Sequence, residues 1–321
     1  KTMSKEILKL KSMMKEKAYG GTQIAEYLGL AQDTHQRIGE YWMISAHEHG
    51  ESRILQEPFQ DMRLSEVYEQ HRELFANSKQ EHFPLLIKMN DVSSSPSLQV
   101  HPDDAYAQAH EHATGKSEFC LYLKTAPNTK LIYGHTAKTK EAFLQRIAQG
   151  EIDDLVIRKP IHDGDAAYIP AGILHGCEGK MLVYEVQQNS DITYRIYDYD
   201  NTDAFGNKRP LQIAKAADVV CIPHKDAPLT PTIQKEKAFT CITYCDNDIF
   251  TIRQYQIQEA VDIVNESYAL LTILQGQGLL ETKQETLDVK AGDNLIVTSL
   301  AKRYTLQGSM QVMVAIPKEK R

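Results

Sequence analysis

Apolar and polar residues alternate over short stretches along most of the chain, the period-two signature of half-buried strands. Leu8 and Leu10 alternate with lysines, which predicts an edge strand leading to the Gly20-Gly21 turn. Strands are also predicted over 42–46, 85–89, 120–123, 130–133, 166–169, 181–187 and 194–197. Helical spacing is rarer. Leu64, Val67, Tyr68, His71 and Phe75 share one helical face, predicting an amphipathic helix over 64–75 with His71 as a packing residue. Ala142, Phe143 and Ile147 make a second helix, opened by Thr139 and closed by Gly150. Asp103-Asp104 reads as the cap of a turn or helix start.

The pattern is interrupted after about Val219 by a linker containing Pro223, Pro228 and Pro231, and a second β-rich half follows. Its segments LLTILQGQGLLE and KAGDNLIVTSLAKRYTLQG repeat the rhythm of the first half. Setting Gly292 against Gly164 places Thr298 on Pro170, Leu300 on Gly172 and Arg303 on His175. The chain therefore reads as an internal duplication, residues 1–219 and 220–321. Arginine does not ligate a metal, so any metal belongs to the first half.

Candidate chemistry gathers around residues 164–175, GDAAYIPAGILH, which fit GxxxxxPxGxxH through Gly164, Pro170, Gly172 and His175. Gly164-Asp165 is a turn signal, Ala166 to Ile169 a short apolar strand, and Pro170 with Gly172 the bend that ends it. His175 then opens the returning strand. Upstream, Gln99 and His101 are two apart and share one face of a strand, and Glu118 follows a polar stretch. Gln99, His101, Glu118 and His175 offer two imidazoles, an amide oxygen and one carboxylate, a set suited to a divalent transition ion, zinc first. One anionic ligand leaves the ion positively charged and Lewis acidic toward a carbonyl or enediolate oxygen. Imidazole ligands with a reference pKa of ~6.5 also predict activity falling below about pH 6.

The 164–175 pattern resembles the second metal motif of the cupin superfamily. The blocks YGGTQIAEYLGL, IGEYWMISAHEHGES, FPLLIKMND, LQVHPDDAYA, GKSEF, LIYGHTAKTKEAF and YEVQQNSDITYRIYDYD extend the likeness from about Leu8 to Pro223. Together they resemble type I mannose-6-phosphate isomerase (phosphomannose isomerase) in its short bacterial form. The resemblance implies a mainly β fold of two cupin-type (jelly-roll) β-barrels with a few helices inserted in the N-terminal half: a catalytic metal-binding half, 1–219, and a second cupin-like half without metal, 220–321. It implies one zinc per chain on Gln99, His101, Glu118 and His175, and active-site roles for Lys116, Glu185 and Arg195. The implied reaction interconverts mannose 6-phosphate and fructose 6-phosphate through a cis-enediol. Glu185 would serve as base or orient it, Arg195 would clamp enediolate or phosphate, and Lys116 would add positive charge. Which group moves the proton stays open, zinc-bound hydroxide included. The chain departs from the family at Tyr19, where a Trp is usual, at Glu48-His49 for Pro-Asn, and at Phe119-Cys120 for Cys-Trp. No metal ligand is lost.

Two other classes compete. A cupin oxygenase would want iron and a richer histidine set, against which Gln99 speaks. A sugar-binding cupin without catalysis would not require Lys116, Glu185 and Arg195 together. The pairs His110/His112 and His47/His49 resemble metal pairs but sit in polar segments and are left out of the site.

A 321-residue chain with 42% apolar residues is long enough for two domains with real cores. A formal charge of −7 argues against a nucleic-acid partner, so a sugar phosphate must be held by local cations. There is no apolar run of membrane-spanning length. The basic start KTMSKEILKLKSMMKEK lacks a signal-peptide core. Five cysteines without a paired framework suit a reducing cytoplasm, with Cys241 and Cys245 as buried strand residues.

Overall fold

The computed structural model describes residues 5–31, 36–94, 96–199, 201–202 and 206–319. Strands dominate, with six short α-helices among the described residues. Three sheets carry the fold. A six-stranded sheet runs in the order Ala166–Ile169, Glu118–Thr125, Met181–Gln188, Leu85–Val92, Ile38–Ile44, Met13–Gly21. A five-stranded sheet runs Val156–Pro160, Lys130–His135, His175–Glu178, Leu98–Val100, Tyr194–Tyr197. A ten-stranded sheet belongs mostly to the second half and is built around Ala269–Glu281 and Arg303–Pro317. Each sheet path has two free ends, so the expected pair of barrels is not closed by hydrogen bonds among the described residues. Closure requires the two edge strands of one sheet to meet, and here they end apart.

Alternation explains how the layers stack. On Met181–Gln188, Leu182, Tyr184 and Val186 join the core shared with Phe250, Leu270 and Ile296 of the second half. Their neighbours Met181 and Val183 turn the other way, into a smaller cluster with Cys120, Tyr122 and Cys177. Glu118–Thr125 and Leu85–Val92 split likewise, with Phe119, Leu121, Ile87 and Met89 on the shared core. One face of the six-stranded sheet thus packs on the second half. The other faces the five-stranded sheet, whose far side is sealed by Leu98, Val100, Tyr194 and Ile196. Polar residues in phase with that inner face have nowhere to go but the gap between the sheets.

The predicted strands at 166–169 and 194–197 match the observed bounds. The helix Lys140–Gln149 has both predicted ends: Thr139 accepts from the Ala142 N–H, and Gly150 is left-handed at φ 73°. Asp103 caps Asp104–Glu111 by accepting from Tyr106 N. Two expectations need correction. The predicted helix over 64–75 breaks at His71 (φ −133°, ψ 56°) into Leu64–Gln70 and a 3₁₀ turn, Arg72–Phe75. His71 is held there by its ring contact with Phe59, centroids 4.7 Å apart, so its packing role stands. The strand carrying Leu8 and Leu10, Ile7–Lys11, is not at an edge. It lies between Asn294–Val297 and Arg53–Ile54 in the ten-stranded sheet, with Ile7 and Leu8 fully buried.

The internal repeat has a backbone counterpart. Gly164 and Gly292 both turn at positive φ, 88° and 89°, as their turns require. Four-residue strands follow each, Ala166–Ile169 and Asn294–Val297, and His175 and Arg303 each open the next strand.

Candidate active site

The gap between the five- and six-stranded sheets is a cavity of about 430 Å³ lined by Gln99, Lys116, Glu118, His175, Glu185 and Arg195, among others. Cross-strand register builds it. Gln99 lies opposite His175 on one side and Arg195 on the other. Glu185 lies opposite Lys88 on one neighbour and Cys120 on the other. A larger depression of about 570 Å³ lies on the second half beside Lys9 and Asp293, but these two charges pair with each other at 2.8 Å, and no set of side chains converges there.

His101, Glu118 and His175 are brought together, all buried. His101 Nδ1 lies 2.8 Å from the Ile192 carbonyl and His175 Nδ1 2.9 Å from that of Ile173. A carbonyl only accepts, so both Nδ1 atoms carry protons and both Nε2 atoms point into the cluster. Those Nε2 atoms flank one carboxylate, 3.6 Å from Glu118 Oε2 and 3.2 Å from Glu118 Oε1 respectively. Gln99 lies beside the group, its amide Nε2 3.3 Å from His175 Nε2 and its Oε1 accepting from Ser97 Oγ at 3.0 Å. Carbonyls that hold the Nδ1 proton fix the ring of an imidazole and prepare its Nε2 as a metal ligand. The donor set fits a divalent transition ion.

Lys116 reaches into the same cluster, 2.6 Å from Glu118 Oε2 and 3.0 Å from His101 Nε2. Burial would raise the Glu118 carboxyl, but Lys116 and His175 hold it well below the usual carboxylate range. Burial and the Lys116 charge push His101 well below an ordinary imidazole, which keeps it neutral. Glu185 is shifted the other way: burial and the neighbouring Glu118 charge raise it. Asn90 Nδ2 donates to its Oε2 at 2.7 Å. Its Oε1 has no hydrogen-bond partner among the described residues and faces Lys88 Nζ at 3.4 Å and Lys116 Nζ at 3.7 Å. Arg195 forms no salt bridge among the described residues, and its Nε is buried without a partner. Burial and the nearby Arg209 lower its hold on the proton. Arg209 itself is clamped on both oxygens of Asp198.

The structure adds residues that the sequence reading passed over. Lys88 belongs to the cavity and is held charged by Glu185, Glu40 and Glu118 against the cost of burial. Glu40 accepts from Tyr19 Oη and Trp42 Nε1, and Lys88 and Lys17 keep it at about 2 despite burial. A signal was available: lysine at 88 and asparagine at 90 interrupt an apolar strand on alternate positions. Tyr19, where the family usually has Trp, thus serves as a wall residue hydrogen-bonded to Glu40. Cys120 lies on the cavity floor, its thiol pushed well up by burial and the Glu118 charge.

The omitted histidines divide. His110 and His112 are exposed, as expected. His47 and His49 gather on Asp191, at 3.5 and 2.5 Å. His47 Nδ1 accepts from the His49 N–H at 3.2 Å, which leaves the proton of a neutral ring on Nε2. Both rings therefore hold the carboxylate as donors, an arrangement poorer in free lone pairs than the buried cluster. Arg303, at the repeat position of His175, is exposed and paired with Asp262 at 2.5 Å.

Residues 7–122 match the family model described as phosphomannose isomerase type I, catalytic domain, and residues 240–317 that described as mannose-6-phosphate isomerase, cupin domain. The mannose-6-phosphate isomerase of Streptococcus mutans serotype c is 36% identical over 311 residues, covering 97% of this chain and 98% of that protein. Mannose-6-phosphate isomerase ManA of Bacillus subtilis (strain 168) is 32% identical over 317 residues, covering 98% and 99%. A crystal structure of a mannose 6-phosphate isomerase from Bacillus subtilis superposes with a TM-score of 0.92 at 34% identity, covering 97% of this chain and all of that one. With whole-length likeness in both sequence and fold, the chain belongs to the type I phosphomannose isomerases and is an isomerase enzyme.

Proposed function

We propose that the chain is a zinc-dependent aldose–ketose isomerase that interconverts D-mannose 6-phosphate and D-fructose 6-phosphate through a cis-enediol. The observation that carries this reading is the Glu185 Oε1 atom, free of hydrogen bonds, facing a cavity beside the buried His101–Glu118–His175 cluster. Bound zinc would supply an electrophile for the carbonyl and hydroxyl oxygens of the substrate. Gln99, His101, Glu118 and His175 would hold it. Glu185 Oε1 takes the proton from C2 of the aldose and returns it to C1. Its raised proton affinity suits a group that must both accept and release a proton near neutral pH. Lys88 and Lys116 keep positive charge beside the reacting oxygens as negative charge develops. The cavity lining carries six cations, Lys15, Lys17, Lys88, Lys116, Arg195 and Arg209, against four carboxylates, Glu40, Glu118, Glu185 and Asp191, and the excess of positive charge suits a phosphorylated sugar.

A coupled assay with mannose 6-phosphate, run with and without a chelator, tests the reading. Turnover is expected with metal and lost without it. Metal analysis should find one equivalent per chain, because Arg303 replaces the ligand in the second half and His47 and His49 are committed to Asp191. Two equivalents would contradict both arguments.

Arg195 is assigned to the phosphate. A guanidinium with no salt bridge among the described residues, close to a second one, suits a dianion. Losing such a charge-assisted contact costs about 1.5–3 kcal/mol, so Arg195→Lys, which loses the bidentate geometry, should raise KM by roughly 10–100-fold. Unphosphorylated mannose should be affected less. A fall confined to kcat would place the guanidinium at the enediolate instead.

A further inference from the structure

Glu185 sits in an arrangement that ought to collapse. A buried carboxylate beside two ammonium groups gains most by closing to charge-assisted hydrogen bonds of about 2.7–2.9 Å. Yet Glu185 Oε1 stands 3.4 Å from Lys88 Nζ and 3.7 Å from Lys116 Nζ. Lys116 instead makes its short contact with Glu118, at 2.6 Å. Among the described residues, the one side-chain hydrogen bond that Glu185 receives comes from Asn90 Nδ2 to the opposite oxygen, at 2.7 Å.

Register explains how Asn90 reaches it. Lys88 is directly across from Glu185, and Asn90 is opposite Val183, two residues away on the same inner face. That is a diagonal neighbour, within reach of an amide side chain. The amide is uncharged. It fixes one carboxylate oxygen without adding a third cation that would hold the group ionised and weaken it as a base.

We propose that Asn90 is a positioning residue: by holding Glu185 Oε2 it keeps Oε1 aimed into the cavity and clear of close pairing with Lys88 and Lys116. This rests on the assignment of Glu185 as the proton-transfer group. A carboxylate freed from Asn90 rotates onto the lysines, and its reactive lone pair is lost to a salt bridge. Binding of the sugar phosphate is untouched, because Asn90 is not asked to contact it.

Asn90→Leu keeps the approximate shape and removes the donor, and Asn90→Ala repeats the measurement should the leucine variant not fold. In the metal-loaded enzyme, kcat is expected to fall by about 10²-fold, the scale of a misplaced reacting group, with KM within about twofold. Affinity for mannitol 6-phosphate, which has no carbonyl and is not isomerised, should be unchanged, as should the metal content. The sharper readout is the double variant. If Asn90 acts through Glu185, its loss has no further effect in a Glu185→Gln background. An unchanged kcat in both Asn90 variants, or the same fall with and without Glu185, overturns the inference while the role of Glu185 stands. A wild-type kcat in Glu185→Gln overturns the role of Glu185 itself, and the inference with it.

Discussion

Replacing His175 by alanine is expected to lower kcat/KM for mannose 6-phosphate by at least about 10³-fold, with the chain still folded. The ring supplies one of only two converging imidazole lone pairs, and its Nδ1 is already committed to Ile173. Lys116, beside the cluster, cannot replace it, since a charged ammonium carries no lone pair. Losing the metal forfeits several kcal/mol of charge stabilisation in the transition state, and each 1.36 kcal/mol is tenfold in rate. Folding should survive because the ring borders a cavity and the core lies elsewhere, and an open site adds less stability than a cysteine cage. His101→Ala should behave alike. Metal content, circular dichroism and turnover would be measured on the same preparation. Full turnover from either variant after metal stripping would end the zinc assignment.

Glu185→Gln should reduce kcat by roughly 10²–10⁴-fold, the range for losing a general base, with metal and KM retained. The amide keeps the shape and can still meet Asn90, but cannot accept the substrate proton. The same residue governs the acid side of the pH profile. Burial and Glu118 raise its proton affinity, so as pH falls it protonates earlier than an ordinary glutamate, and kcat falls with it. His101 is displaced the other way by burial and Lys116, so proton competition for this ligand begins well below the ordinary imidazole value. The acid limb expected below about pH 6 from imidazole ligands alone is thus reassigned in part to a carboxylate. It should be absent from the residual activity of Glu185→Gln, and metal should remain bound across it. A limb that tracks metal loss in the wild type would falsify this division.

What could be read from the sequence was what short-range physics determines. Strand 166–169 is bracketed by Gly164-Asp165 and Pro170, and helix 140–149 by Thr139 and Gly150, so their limits are local. The helix Gln23–Leu28 has no side-chain cap bond, spans six residues and went unread, as did Ile213–Val219. Gln99, His101, Glu118, Lys116, His175, Glu185 and Arg195 were named through motif resemblance; all but His101 line one cavity, and His101 adjoins Glu118 and His175. Lys88, Glu40 and Asn90 were missed for a different reason. Whether a polar residue on a strand faces solvent or a site depends on which sheet lies across from it. That fact is held by no single segment. The same applies to barrel closure and to the rank of Ile7–Lys11 within its sheet, both of which depend on partners far along the chain.

The placement of Ile7–Lys11 has a consequence for how the molecule comes into being. The strand hydrogen-bonds to Asn294–Val297, which is synthesised far later. Its fully buried Ile7 and Leu8 have no final seat until Asn294–Val297 has emerged. Folding that proceeds from the N-terminus can assemble the sheets around the cavity, but it must leave this strand waiting with apolar residues uncovered. Such a long-range pairing is slow to form. The pairing is in effect a clasp between two segments far apart in sequence, and its completion is a late event.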